Sequence, residues 1–180
     1  MNTHYLLWAT GEDQPGIVAA VTKILFNAGC NLEDSSMMRL GSEFAILLIV
    51  SSPKTLSAVT AEKIFRPLKS KWRLTVGFKK ISDSQARFRP LKGHLHLVTV
   101  HGPDKPGLVY RVTELLARAR FNITDLATHQ TRRGKKTGYI LFIEGELPLK
   151  KSSGVTNQLA RLSRRLHTKI SLKRLDTASF

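Results

Sequence analysis

The sequence predicts an α+β protein made of two copies of one βαββαβ domain. Each copy would be a four-stranded antiparallel sheet with two helices on one face. Three observations predict this. Residues 10–34 align with residues 101–125 at a constant offset of 91, without a gap, and eleven of those 25 positions are identical. Each copy then runs through the same order of short apolar strands and helical stripes. Between them, residues 82–93 ("SDSQARFRPLKG") are polar and basic and contain Pro and Gly, which reads as a linker. Domains are therefore expected at 1–81 and 94–180. An offset near half of 180 residues means two domains, because solenoid units are shorter and more numerous.

The first strands are "HYLLWAT" and "HLHLVTV", short and partly alternating. A Pro-Gly junction follows in each copy. Ile17, Val21, Ile24, Leu25 and Ala28 then recur at helical spacing, as do Leu108, Val112, Leu115, Leu116 and Ala119. Gly29 is a helix-stop residue; the second copy has Arg120 there, so its helix must end without glycine. A hairpin turns at Gly41-Ser42 between "NLEDSSMMRL" and "EFAILLIV", with Met37 and Met38 expected to face core and surface in turn. The second hairpin turns at "RRGKK" and is about four residues longer, since the offset grows from 91 to 95. The second helices carry a weak stripe of Leu56, Val59, Phe65 and Leu68, and a clean one of Val155, Leu159, Leu162 and Leu166. "RLTVGF" and "KISLKRL" read as closing strands. Right-handed crossovers place both helices on one face, the split-βαβ or ferredoxin-like pattern.

The junction is the chemical signal. Asp13 and Asp104 stand just ahead of the helices and are expected to be N-caps. Pro15 and Pro106 are expected in the first turn, where a missing N–H costs little. Gly16 and Gly107 lack a Cβ, so a backbone or a ligand can come close. Free first-turn amides and the helix dipole favour an anion such as a carboxylate. A bare strand-to-helix cap leaves the same residues behind. Asn31 and Asn122 open the next strand in each copy; each is either a turn residue or a donor–acceptor pair for an amino-acid ligand.

Composition bounds the rest. Formal net charge is +16 over the chain, with 10 Lys/Arg against 7 Asp/Glu in residues 1–85 and 19 against 6 in residues 86–180. Such asymmetry suits either a solvated basic surface or an anionic partner. Arg132, Arg133, Lys135 and Lys136 at the hairpin tip, with Arg161, Arg164 and Arg165 on the last helix, are the candidate contacts. An acidic protein would explain them as well as nucleic acid, and the last helix has no aromatic residues for stacking on bases. A single cysteine, Cys30, excludes an intrachain disulfide and a cysteine zinc cluster, and its repeat partner Phe121 marks a packed position. His94-x-His96 is weak metal spacing, and no metal or cofactor is expected. There is no Walker A loop, no G-x-G-x-x-G fingerprint and no nucleophile–base pair, so no enzyme is expected. No apolar run approaches ~20 residues, no signal peptide is expected, and a cytoplasmic protein follows.

"DQPGIVAAVTKILFNAGCNLEDSSM" resembles the ACT domain, a small amino-acid-binding regulatory module. Its hallmark is Asp-x-Pro-Gly-[Ile/Leu]-Val, an amphipathic helix, then Gly-x-Asn-[Ile/Leu]. "DKPGLVYRVTELLARARFNITDL" resembles a second one. The stretch "NLEDSSMMRLGSEFAILLIV" in particular is similar to glycine cleavage system transcriptional repressors, which are tandem ACT chains without a catalytic domain. The resemblance implies domains that pair side by side, within a chain or as a homodimer, around a small ligand, commonly an amino acid. By motif position the contacts would be Asp13, Gly16, Ile17 and Asn31, and Asp104, Gly107, Leu108 and Asn122. It implies a non-enzymatic protein that senses an amino acid such as glycine and modulates a transcription regulator. Two alternatives stay open: nucleic-acid binding through the basic second half, and a detached regulatory subunit of a biosynthetic enzyme. Arg120, the longer basic hairpin and the high charge depart from the pattern.

Overall fold

The computed structural model describes residues 2–87, 93–133, 136–148 and 152–175, without the side chains of 132, 133, 136, 137, 152 and 153. The chain divides into two compact units, Met1–Arg89 and Pro90–Phe180. The first contains β1 (Thr3–Glu12), α1 (Ile17–Asn27), β2 (Asn31–Leu40), β3 (Glu43–Ser52), α2 (Ala58–Lys71), β4 (Thr75–Ile81) and α3 (Asp83–Ala86). The second contains β5 (His94–Pro103), α4 (Leu108–Arg118), β6 (Asn122–Arg133), β7 (Lys136–Leu147), α5 (Ser152–Leu166) and β8 (Lys169–Arg174). Both sheets are antiparallel four-stranded sheets, in the orders β2-β3-β1-β4 and β6-β7-β5-β8. This is the expected βαββαβ fold, twice.

Each core lies between one sheet face and two helices. In the first unit Tyr5, Leu7 and Ala9 alternate along β1 and meet Ile17, Val21 and Leu25 of α1 and Phe65 and Leu68 of α2. In the second, Val98 and Val100 meet Leu108, Val112 and Leu116 of α4 and Val155, Leu159 and Leu162 of α5. The period-2 and period-3.6 stripes thus close on each other.

Two expected core positions lie outside. Val59 is 67% exposed, because Ser57 caps α2 by accepting from Thr60 N (3.1 Å), and the helix then buries Ala61, Phe65 and Leu68 instead. Met37 and Met38 do not alternate between core and surface: both are more than half exposed. Among the described residues β2 pairs only with β3, and every one of its residues is exposed, so this edge strand places no side chain in the core.

The ends of α1 and α4 close alike. Gly29 has φ +68° and donates to Phe26 O (2.9 Å), while Cys30 N reaches Leu25 O (2.9 Å). Arg120 has φ +60°, with Arg120 N on Ala117 O and Phe121 N on Leu116 O, both 2.9 Å. This is one Schellman closure, built once on glycine and once on arginine. The second hairpin adds two rungs, Arg132↔Thr137 and Arg133↔Lys136, beyond the position where the first turns.

Within the segment expected as a linker, Ser82 and Gln85 form a capping box that starts α3. Asp83 Oδ1 meets His4 Nδ1 (2.9 Å), and His4 Nε2 meets Glu33 Oε2 (3.1 Å). Residues 88–92 lie outside the described residues.

Candidate functional site

In both units the chain leaves the central strand, makes a Pro-Gly turn and enters a helix. Gly16 is the N-cap of α1 with φ +94°, and Gly107 is the N-cap of α4 with φ +83°. Both lie in the left-handed region that favours glycine. Each carbonyl starts the helical ladder, accepting from Ala20 N (2.9 Å) and Arg111 N (3.0 Å). No side chain caps either helix.

The expected capping role of Asp13 and Asp104 is therefore corrected. The chain needs a left-handed residue to swing from strand into helix, and Gly16 or Gly107 supplies it. The aspartate then falls three residues too early to reach the first turn. For the same reason Pro15 and Pro106 precede the cap and do not sit inside the first turn. Instead Asp13 Oδ2 faces Arg39 Nη1 (3.5 Å), and Asp104 Oδ2 accepts from Gln130 Nε2 (2.8 Å). Arg39 and Gln130 are themselves 91 residues apart, so each aspartate ties its junction to the same position of the neighbouring edge strand. Neither Arg39 nor Gln130 was singled out from the sequence; their shared offset of 91 is the one signal there that points to them.

Ile17 and Leu108 are core residues, 2% and 5% exposed, so only their backbone faces the junction. Asn31 and Asn122 are exposed and stand at the other end of the sheet. Asn31 pairs with Ser51, which pairs with His4, whereas Gly11 beside the junction pairs with Phe44, which pairs with Arg39. Seven residues of β1 separate the two rows, about 23 Å at ~3.3 Å per residue. Asn122 and Gly102 are separated in the same way across β7. An amino acid is far too short to bridge that distance, since consecutive Cα atoms lie only ~3.8 Å apart. Within one domain the predicted site residues do not converge.

The two junctions differ in what fills them. At Gly16 an added Cβ would lie 3.1 Å from Trp72 Cη2. Trp72 ends α2, and its indole occupies the room that glycine leaves. The buried triads Ala61/Phe65/Leu68 and Val155/Leu159/Leu162 share one spacing, which matches Trp72 with Leu166. At Gly107 an added Cβ would meet nothing within 4 Å. Beside it lies a cavity of about 320 Å³ with Pro103, Pro106, Leu108 and Leu166 among its walls and Lys105, Arg111 and Arg165 around it. Among the described residues three cations line it and no carboxylate does. Trp72, Lys105 and Arg111 were not singled out from the sequence; Trp72 reaches Gly16 from 56 positions away.

Of the candidate anion contacts, Arg161, Arg164 and Arg165 are exposed on α5. Lys135 lies outside the described residues, and the side chains of Arg132, Arg133 and Lys136 are not described. His96 is buried and its Nδ1 lies 2.8 Å from His94 O, a contact within its own strand. Among the described residues no group of three or more His, Cys, Asp or Glu is arranged to hold a metal ion, and no helix is long and apolar enough to cross a membrane. Burial pushes the Cys30 thiol pKa up, with a hydrogen bond from Ser52 opposing.

Family models for the ACT domain match residues 3–79 and residues 96–149. The chain belongs to the ACT-domain family. The chain is 35% identical over 127 residues to the glycine cleavage system transcriptional repressors of Escherichia coli (strain K12) and Shigella flexneri. The match takes in 69% of this chain and 64% of the length of those relatives. Two solved structures share the tandem ACT fold. One is an unknown protein from Galdieria sulphuraria (TM-score 0.81, 22% identity, covering 98% of this chain and 100% of that one). The other is described as a putative glycine cleavage system transcriptional repressor (TM-score 0.69, 23% identity, covering 98% and 99%).

Proposed function

We propose that this ACT-domain chain is a cytoplasmic, non-enzymatic regulatory protein that binds a small amino acid, such as glycine, and modulates a transcription regulator. One observation carries the ligand part. The second junction has an uncapped helix start, an unobstructed glycine and a cavity of about 320 Å³ ringed by Lys105, Arg111 and Arg165. Cations beside a helix N-terminus suit a carboxylate. The similarity to glycine cleavage repressors supports the regulatory part.

The geometry favours the second junction over the first, where Trp72 stands in the corresponding place. Asn31 and Asn122 enter such a site only from a different ACT domain, because each is some 23 Å along the strand from its own junction. Sensing then requires that the ligand bind one arrangement better than another.

The test is thermal unfolding against a full panel of amino acids at saturating concentration. A ligand at 100 times its Kd stabilises by about 2.7 kcal/mol. One or a few amino acids should raise the Tm, and Lys105→Ala and Asn122→Ala should each reduce the shift. A Tm unmoved by every amino acid would end this reading.

A further inference from the structure

A second basic concavity lies on the helix face of the second unit. Arg111 and Arg118 of α4 and Arg161 and Arg165 of α5 surround Leu115 and Leu162, and the space between them is about 320 Å³. Leu162 is 3% exposed and forms the floor, while the four arginines are exposed. Glu114 and Gln158 complete the lining. Four arginines thus face one glutamate, and Arg118 is already paired with it (Nη2–Oε1 2.8 Å) at 76% exposure.

The fold does not require these arginines, and the chain contains its own control. At the repeat offsets, Arg111, Arg118, Arg161 and Arg165 stand where the first unit has Ala20, Asn27, Pro67 and Lys71. Leu115 and Leu162 stand where it has Ile24 and Leu68, so the apolar floor is shared and the arginine rim is not. Both units pack the same helices on the same sheet, so packing alone asks for no arginine here.

From this juxtaposition we infer that the groove between α4 and α5 is the docking surface for an acidic amphipathic helix of a partner protein. Arg111 to Arg118, and Gln158 to Arg165, each span seven residues, about 10 Å or two helical turns. An apolar floor between two cationic rims receives leucine-type side chains in the middle and carboxylates on both sides. Arginine forks suit carboxylates. Nucleic acid fits less well: the lining has no aromatic side chain to stack on a base, and Glu114 faces the same space. The inference rests on the partner part of the proposed function and not on its ligand part.

The experiment measures binding of the full chain to three labelled probes at physiological salt. These are a 14-residue helical peptide with Leu at i, i+3 and i+4 spacing and Glu elsewhere, a polyglutamate of equal charge, and a DNA duplex of equal charge. Fluorescence anisotropy should show the amphipathic peptide binding at least about tenfold more tightly than polyglutamate or DNA. The double variant Arg118→Glu/Arg161→Glu should weaken the peptide at least about tenfold; both residues lie outside the junction cavity. Lys23→Glu/Lys71→Glu on the first unit should leave it unchanged, as should the unfolding profile of every variant. Equal binding of the three probes, no binding, or indifference to the arginine charge would each overturn the inference. Amino-acid-induced Tm shifts of wild type and the Arg118→Glu/Arg161→Glu variant separate the two ideas: their persistence without peptide binding removes the groove and leaves the ligand reading standing.

Discussion

The indole of Trp72 stands over Gly16, so that a Cβ added there would lie 3.1 Å from Cη2. Gly107, its repeat equivalent, has no such neighbour. Both glycines hold a left-handed backbone that costs an L-residue roughly 1–2 kcal/mol. Gly107→Ala should therefore lose about 1–2 kcal/mol, and Gly16→Ala more, because Trp72 must also shift. Urea unfolding of the two variants compares them. Equal losses would mean that Trp72 gives way freely.

Arg120 and Gly29 form a reciprocal pair. Arg120 holds φ +60° at the end of α4, where α1 uses Gly29 at φ +68°. Arg120→Gly should stabilise the protein by about 1 kcal/mol through relief of the left-handed strain. Gly29→Ala should destabilise it by about 1 kcal/mol, and by conformation alone, since nothing lies within 4 Å of the added methyl. Thermal unfolding reads both signs.

Gly77 of β4 lies opposite Trp8 of β1, and the indole crosses the place a Cβ would take. Gly77→Ala must displace Trp8, at an overpacking cost of about 1–3 kcal/mol. The chain has two tryptophans, so the Trp72→Phe background isolates Trp8 emission. The Gly77→Ala change should shift that emission and lower stability together.

The Cys30 thiol is partly buried, and burial raises its pKa. Its thiolate fraction at neutral pH is then below that of a free cysteine. Alkylation should be slower in the folded protein than after unfolding, and its rate should climb at higher pH than for an unfolded chain. The linkage has a definite sign. The folded state holds this proton more tightly than the unfolded state, so the contribution is present below the unfolded pKa and is lost as pH rises above it.

Most of the eleven repeated identities take a physical role in the structure. Val21/Val112 and Leu25/Leu116 are core. The Thr22 and Thr113 hydroxyls donate to the carbonyls of Val18 and Val109, each at 2.9 Å. Gly11 and Gly102 admit Leu74 and Thr168 at close range. Such roles are local or follow a helical or strand period, which is why the fold was legible from one chain. The aspartate brace was misread as a cap because Asp-x-Pro-Gly fits both, and only the backbone angle at the glycine separates them.

The sequence by itself determined the repeat, the order of strands and helices, the core stripes, and the two junctions. It did so because burial follows periodicity and turns follow residue chemistry, both short-range. Tertiary structure alone decided that Asn31 and Asp13 stand at opposite ends of one sheet, that Trp72 fills the first junction while the second is open, and that four arginines from two helices ring one groove. Those relationships join residues tens of positions apart through strand register and helix packing. No local pattern encodes a distance across a sheet, so two junctions written alike became one filled and one open.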